Sequence, residues 1–268
     1  MLKGEPFYKP TIEIAGENAL IIYFAEQASN DTSVKVQQAE QLIRQAMKDD
    51  LAIDIIDLIP SYASMLVMFN ILTTDHHQVR NKLRLLLHSL DDNCQRLNDS
   101  QLDDHSQKHE QADKSLVVEL PVYYAAESGP DLAVIAERNK LTVEQVIDIH
   151  QSKVYRVYAI GFAPGFAYLG EVDERIAAPR LSTPRMKVPK GAVAIADKQT
   201  AVYPNTSPGG WNIIGLCPVD MFDATATPIM PVNVGDKVKF KAIDKHEFLA
   251  LGGELPDEFG KSAFGKLS

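Results

Sequence analysis

Apolar positions along the first ninety residues follow two periods in turn. Residues 11–14 and 19–24 read as strands, the second nearly continuous in apolar side chains. Val36, Ala39, Ile43, Ala46 and Met47 then recur at helical spacing and predict one buried helix face. The pattern repeats. Residues 53–58 and 65–69 predict two further strands broken by the turn-forming Pro60 and Ser61. Val79, Leu83, Leu86, Leu87 and Leu90 predict a second helix, with Thr74 or Asp75 as its N-cap. The order ββα-ββα implies helices on one face of a small antiparallel or mixed sheet, a domain over residues 1–90.

Periodicity stops at residue 91. Residues 91–115 are nearly all polar and predict a linker or mobile loop. His105 and His109 lie one helical turn apart there, but two histidines without further ligands do not make a metal site. Residues 116–268 form the expected second domain. A strand is predicted over 116–123, then a helix opened by Pro130 and Asp131 and marked by Leu132, Ile135 and Ala136. The sequence from Thr142 to Gln145 has capping-box form and starts a helix running to about His150. A DNA-reading helix pair is a poor fit, because the second helix carries Glu144 and Asp148 and almost no basic residues. Short strands follow at 154–160, 192–196, 201–203, 211–216 and 237–243, which predicts a closed or nearly closed β-barrel. The fold class is therefore α+β.

Composition narrows the function. The net charge of −9 over 268 residues argues against a nucleic-acid or anionic-membrane binder. Residues 151–215 carry eight Lys/Arg against four Asp/Glu, a local +4 that leaves −13 for the rest. A basic, Gly-rich segment in an acidic chain fits a small anionic ligand better than a polyanion. Cys94 and Cys217 are the two cysteines, which excludes a disulfide framework and a cysteine-based zinc pattern. The opening residues lack a signal-peptide layout, and the longest apolar run is too short to span a bilayer, so a cytoplasmic location is expected.

Glycine, proline and aromatic residues concentrate between His150 and Pro218, where tight loops would frame a cleft. Gly161, Pro164, Gly165, Pro208 and Trp211 are read as loop-shaping. Standard catalytic signatures are missing. Gly260, Lys261 and Ser262 resemble the end of a P-loop, but Leu255 stands where its first glycine is required. No G-x-S-x-G elbow occurs. Anion-handling groups remain. Successive amides from Ser207 to Gly210 could form a nest for an oxyanion, or a plain hairpin turn. Arg180, Arg185 and Lys190 each flank a proline, and arginine suits bidentate carboxylate recognition. His150 could shuttle a proton or cap the carbonyls of its own helix.

These residues carry a resemblance. His150, the run from Gly161 to Gly170, Pro179-Arg180, Pro184-Arg185, Val188 to Gly191, Val193 to Ala196, Gln199-Thr200, Tyr203-Pro204 and Ser207 to Trp211 resemble one family. It is the allophanate hydrolase subunit 1, or KipI-like, family of carboxyltransferase domains, whose members include the 5-oxoprolinase B subunit. The likeness implies a cyclophilin-like β-barrel behind a small α+β domain. It implies a role in an ATP-dependent 5-oxoprolinase complex that opens 5-oxoproline to L-glutamate, with this chain inactive alone. The implied partners are the C subunit of that complex, from the allophanate hydrolase subunit 2 family, and its A subunit. ATP with Mg would act at the level of the complex, with no metal held by this chain. On that reading His150 and Lys190 are catalytic, while Arg180, Arg185, Gln199, Tyr168, Gly209 and Gly210 bind the substrate or its anionic group. Two other readings stay open. One is a KipI-like inhibitor of a sensor histidine kinase, and the other a member of a urea carboxylase or allophanate hydrolase-related complex. The chain departs from the family at Gly191-Ala192, where Gly-Ser is usual, and at residues 215–218, where Gly-Arg-Thr-Pro is common.

Overall fold

The computed structural model describes residues 10–27, 29–49, 54–99, 117–257 and 259. The chain divides into two compact units, Met1–Asp113 and Lys114–Ser268.

The first unit runs β1 (Thr11–Ile14), β2 (Ala19–Tyr23), α1 (Asn30–Lys48), β3 (Ile55–Pro60), β4 (Ser64–Phe69) and α2 (His76–Asp99). Its sheet has the order β1-β2-β4-β3 with every pairing antiparallel. Side chains alternate across a strand, so Met65, Val67 and Phe69 of β4 are buried with Leu20 and Ile22 of β2. The helices supply Val36, Ala39, Ile43, Val79 and Leu83 to the same core, as the helical spacing predicts. Ser29 caps α1 by accepting from the Thr32 amide at 3.1 Å, and Asp75 accepts from the Gln78 amide at 2.9 Å at the start of α2. One boundary is corrected. The helix α2 continues to Asp99, nine residues into the segment read as linker. Residues 91–99 are mostly polar but contain neither glycine nor proline, so nothing in them stops a helix already nucleated. The rest of that segment, with His105 and His109, lies outside the described residues, as do Gly260, Lys261 and Ser262.

The second unit contains β5 (Val117–Tyr123), α3 (Leu132–Arg138), α4 (Val143–Ser152), β6 (Val154–Ile160), β7 (Ala167–Gly170), β8 (Arg185–Val188), β9 (Ala192–Ala196), β10 (Gln199–Val202), β11 (Ser207–Gly209), β12 (Asn212–Leu216), β13 (Lys237–Ile243) and α5 (Lys245–Ala250). Seven strands close a barrel in the order β10-β7-β6-β13-β5-β12-β9, while β8 and β11 pair as a separate two-stranded sheet. The pairing of β13 with β5 is parallel and the others are antiparallel. The continuous apolar run of β9 has a simple cause, burial on both faces. Val193 and Ile195 join a core shared with Leu132, Ile135 and Val146 of the helices. Ala192, Ala194 and Ala196 join a second core with Phe166, Tyr203, Trp211 and Phe248. The capping box at α4 is formed, with Thr142 and Gln145 bonded reciprocally. No helix among the described residues is long and apolar enough to cross a membrane.

Candidate functional site

The loop from Gly161 to Phe166 turns β6 into β7. Its backbone is held by the Gly161 amide on the Phe166 carbonyl and the Phe166 amide on the Ala163 carbonyl, both at 3.0 Å. Gly165 adopts φ +82°, and a Cβ there would lie 2.5 Å from the Met221 carbonyl oxygen, so this position requires glycine. The turn presents Phe162, 69% exposed, edge-on to Phe166. Phe166 in turn packs against Tyr168, Tyr203 and Trp211, with ring centroids 4.8, 5.1 and 5.7 Å away. These rings form one packed aromatic cluster.

A cation lies against this cluster. The Arg180 guanidinium lies over the Trp211 ring, 5.7 Å from its centroid, a cation–π arrangement. Its nearest acid, Asp197, is 4.0 Å away and exposed, a weak partner. Two hydrogen bonds fix the loop that carries it. Asn212 donates to the Pro179 carbonyl at 2.9 Å, and the Leu181 amide donates to the Gly210 carbonyl at 2.7 Å. Burial raises the Tyr168 phenol above its ordinary pKa, and the Arg180 charge offsets part of that rise.

Arg185 is held differently. Its Nη2 donates to Asp131 Oδ1 at 2.8 Å in a pair that is nearly enclosed, and Asp131 Oδ2 accepts the Ile213 amide at 2.7 Å. Asp131 stands at the start of α3 but makes no side-chain cap. It ties β8 and β12 to that helix instead. Among the described residues Arg185 Nη1 is buried without a hydrogen-bond partner.

The structure therefore brings Arg180, Tyr168, Trp211, Gly209 and Gly210 together, with Arg185 opposite Gly209 in the β8–β11 register. Two expectations are corrected. Residues 207–210 form no anion nest: Ser207–Gly209 is an extended strand, and neither Gly209 nor Gly210 takes the positive φ that such a nest requires. Pro208 suits that short strand because it lacks a donor to leave unpaired. His150 does not face solvent as the expected proton shuttle would. It is wholly buried, stacked on Phe240 at 4.6 Å, with Nδ1 bonded to the Tyr124 hydroxyl at 2.7 Å and Nε2 to Thr200 Oγ1 at 3.0 Å. Burial pushes its pKa down to about 3, so the ring is neutral. Nor does its side chain cap the helix, since both ring nitrogens are engaged elsewhere.

Lys190 lies apart from these residues and faces a cleft of about 380 Å³, lined also by Gly191, Pro218, Asp220, Gly252 and Glu254. Its ammonium pairs with Asp220 at 2.5 Å, both half exposed. Gln199 opens β10 between Gly170 and Ala196. Sequence reading assigns no site role to Asp131, Tyr203 or Asn212. Asn212 carried a signal, as a polar residue inside an apolar strand; Asp131 was disguised by its place before a helix.

The fold is shared with the urea carboxylase of Kluyveromyces lactis, at a TM-score of 0.66 and 16% identity over 93% of this chain and 23% of that one. TTHA0988 superposes with a TM-score of 0.67 at 30% identity, over 90% of this chain and 41% of that one. This chain thus spans about two fifths of the length of TTHA0988. Along the sequence it is 36% identical over 243 residues to the 5-oxoprolinase B subunit of Bacillus subtilis (strain 168), covering 91% of this chain and 97% of that protein. Residues 10–232 match the family described as carboxyltransferase domain, subdomain C and D. The chain belongs to that family.

Proposed function

We propose that the chain serves as the B subunit of an ATP-dependent 5-oxoprolinase, within a complex that opens 5-oxoproline to L-glutamate. The observation that carries this reading is the 36% identity to the Bacillus subtilis protein over 97% of its length. The aromatic cluster beside Arg180 is consistent with it. A small ring bearing one carboxylate suits exposed arginine beside aromatic side chains.

A lactam is a poor electrophile, so the reaction needs its oxygen converted into a leaving group. Phosphoryl transfer from ATP to that oxygen does this. Water then adds to the carbon, the ring C–N bond breaks as the nitrogen takes a proton, and the acyl phosphate that results is hydrolysed by a second water to the carboxylate and phosphate. In this proposal the present chain binds and orients the substrate carboxylate through Arg180, with Tyr168 and Trp211 packing on the ring. The A and C subunits are the proposed partners. ATP with Mg is proposed for the complex as a whole. Among the described residues no three His, Cys, Asp or Glu are grouped to hold a metal ion, and no step is routed through ATP on this chain.

The test is reconstitution with the A and C subunits, measuring glutamate released from 5-oxoproline with and without ATP. Release that requires both ATP and this chain is expected. A stably assembled complex that is inactive, or one equally active without this chain, would overturn the proposal and direct attention to the kinase-inhibitor reading.

A further inference from the structure

The four-stranded sheet of the first unit has two edges, β1 and β3. Along an antiparallel ladder the backbone groups of successive residues point alternately toward the neighbouring strand and away from it. The Ser61 amide donates to the Ser64 carbonyl at 2.8 Å, in the register that pairs Leu58 with Val67 and Pro60 with Met65. Leu58 and Pro60 are therefore the residues of β3 whose backbone groups face outward. Side chains close that edge. Asp57 Oδ1 accepts the Leu58 amide at 2.7 Å, Arg44 donates to the Leu58 carbonyl at 3.1 Å, and Pro60 has no donor.

The β1 edge is left open. The Ala15 amide donates to the Ala19 carbonyl at 3.0 Å, in the register that pairs Ile12 with Ile22 and Ile14 with Leu20. Ile12 and Ile14 thus direct their N–H and C=O away from β2. Among the described residues these groups have no hydrogen-bond partner, and Ile14 is 60% exposed. The open edge runs along a cleft of about 560 Å³ whose other wall is Arg84, Leu87 and His88 of α2. An edge of this kind accepts a further strand about 4.8 Å away, through main-chain hydrogen bonds.

Side chains set the chemistry of that strand. Ile12 lies on the face covered by the helices, and Leu87 lines the cleft on that side, so alternate residues of the incoming strand are apolar. Glu13 lies on the other face, exposed, and forms no ion pair among the described residues. A basic residue opposite it completes a cross-strand pair. A second copy of this chain fits poorly. The register that uses Ile12 and Ile14 of both copies sets the two Glu13 side chains directly opposite each other, and such like-charge pairs are destabilising.

We infer that the free edge of β1 is an interaction surface that takes an extended strand of a companion subunit, apolar toward Leu87 and basic opposite Glu13, as a fifth strand of this sheet. The inference rests on the proposed function for the existence of that companion.

The test is hydrogen–deuterium exchange, read at single amides, on the full chain alone and on its complex with the A and C subunits. The Ile12 and Ile14 amides are expected to exchange freely in the isolated chain and at least about a hundredfold more slowly in the complex. Ile14→Pro removes an outward donor and breaks no bond within the sheet. It should weaken assembly at least about tenfold and leave thermal unfolding of the isolated chain near the parent's. Glu13→Lys should weaken assembly about fivefold, while Ile56→Ser, on the closed edge, should assemble as the parent does. Free exchange at Ile12 and Ile14 in an assembled complex would overturn the inference. So would amides already protected in the isolated chain, which would mean that the chain fills its own cleft. Protection that rises with the chain's own concentration would overturn it in favour of a second copy. A complex that releases glutamate while both amides exchange freely sinks the strand addition and leaves the proposed function standing. A chain that joins neither subunit overturns both.

Discussion

Asp131→Ala tests whether one buried carboxylate joins the two-stranded sheet to the barrel. Asp131 and Arg185 are 9% and 13% exposed in their side chains, and their contact is 2.8 Å. The same carboxylate accepts the Ile213 amide at 2.7 Å. Alanine would leave a guanidinium without its counter-charge and a buried N–H without an acceptor. Removing one partner of a buried pair costs about 3–5 kcal/mol, and an orphaned buried donor about 1–3 kcal/mol. The two losses overlap, since one group serves both, so a total of about 4–6 kcal/mol is expected. Asp131→Asn keeps an acceptor for Ile213 and should cost about half as much. Urea unfolding followed by Trp211 fluorescence is the appropriate assay, because that residue lies in the Lys114–Ser268 unit and reports its unfolding. Adding Arg185→Met to Asp131→Ala removes the unpaired charge and should recover a large part of the loss. A single variant within about 1 kcal/mol of the parent, or a double variant whose losses simply add, would refute this reasoning.

His150 should make the barrel acid-sensitive. Its folded pKa is depressed to about 3 by burial, against an ordinary 6.5. The unfolded chain therefore binds a proton below about pH 6.5 that the folded chain refuses until about pH 3, and stability falls across that window as pH drops, by at most about 1.4 kcal/mol per unit. His150→Gln removes the titration, so between pH 6.5 and 4.5 its stability should change less than the parent's by about 2–3 kcal/mol; parallel curves would contradict the assignment. Gly191→Ala should destabilise by about 3 kcal/mol or more, through the left-handed backbone and a clash that follows from it. The residue has φ +79°, and a Cβ there would sit 2.4 Å from the Cys217 carbonyl oxygen. An unchanged urea midpoint would show that this approach relaxes freely.

The helices and long strands were legible because their signals are local. Val36, Ala39 and Ile43 are buried as their spacing requires, and 237–243 is a strand over the predicted span. The strands β7, β8 and β11 were not legible. Each has three or four residues, and β8 and β11 exist only through each other. The helix α5 was missed as well, a six-residue segment capped by Asp244, too short for a period to register.

The same division holds within the site. Arg180 and Arg185 look alike in sequence, each following a proline. One is exposed over Trp211; the other is enclosed against an aspartate 54 positions earlier. His150 invited a catalytic role, yet its Nε2 partner is Thr200, 50 positions away, and the pair is buried. Tyr203 stood out only as part of the Tyr203-Pro204 pair in the resemblance; that its hydroxyl rests on Gly209 needed the fold. Residue type and short-range period determined the class of the fold, the helices and the region where binding groups concentrate, because propensity and periodicity act over a few residues. Burial, charge pairing and the direction of each donor were decided by barrel closure. These depend on contacts between residues fifty or more apart, which no local pattern specifies.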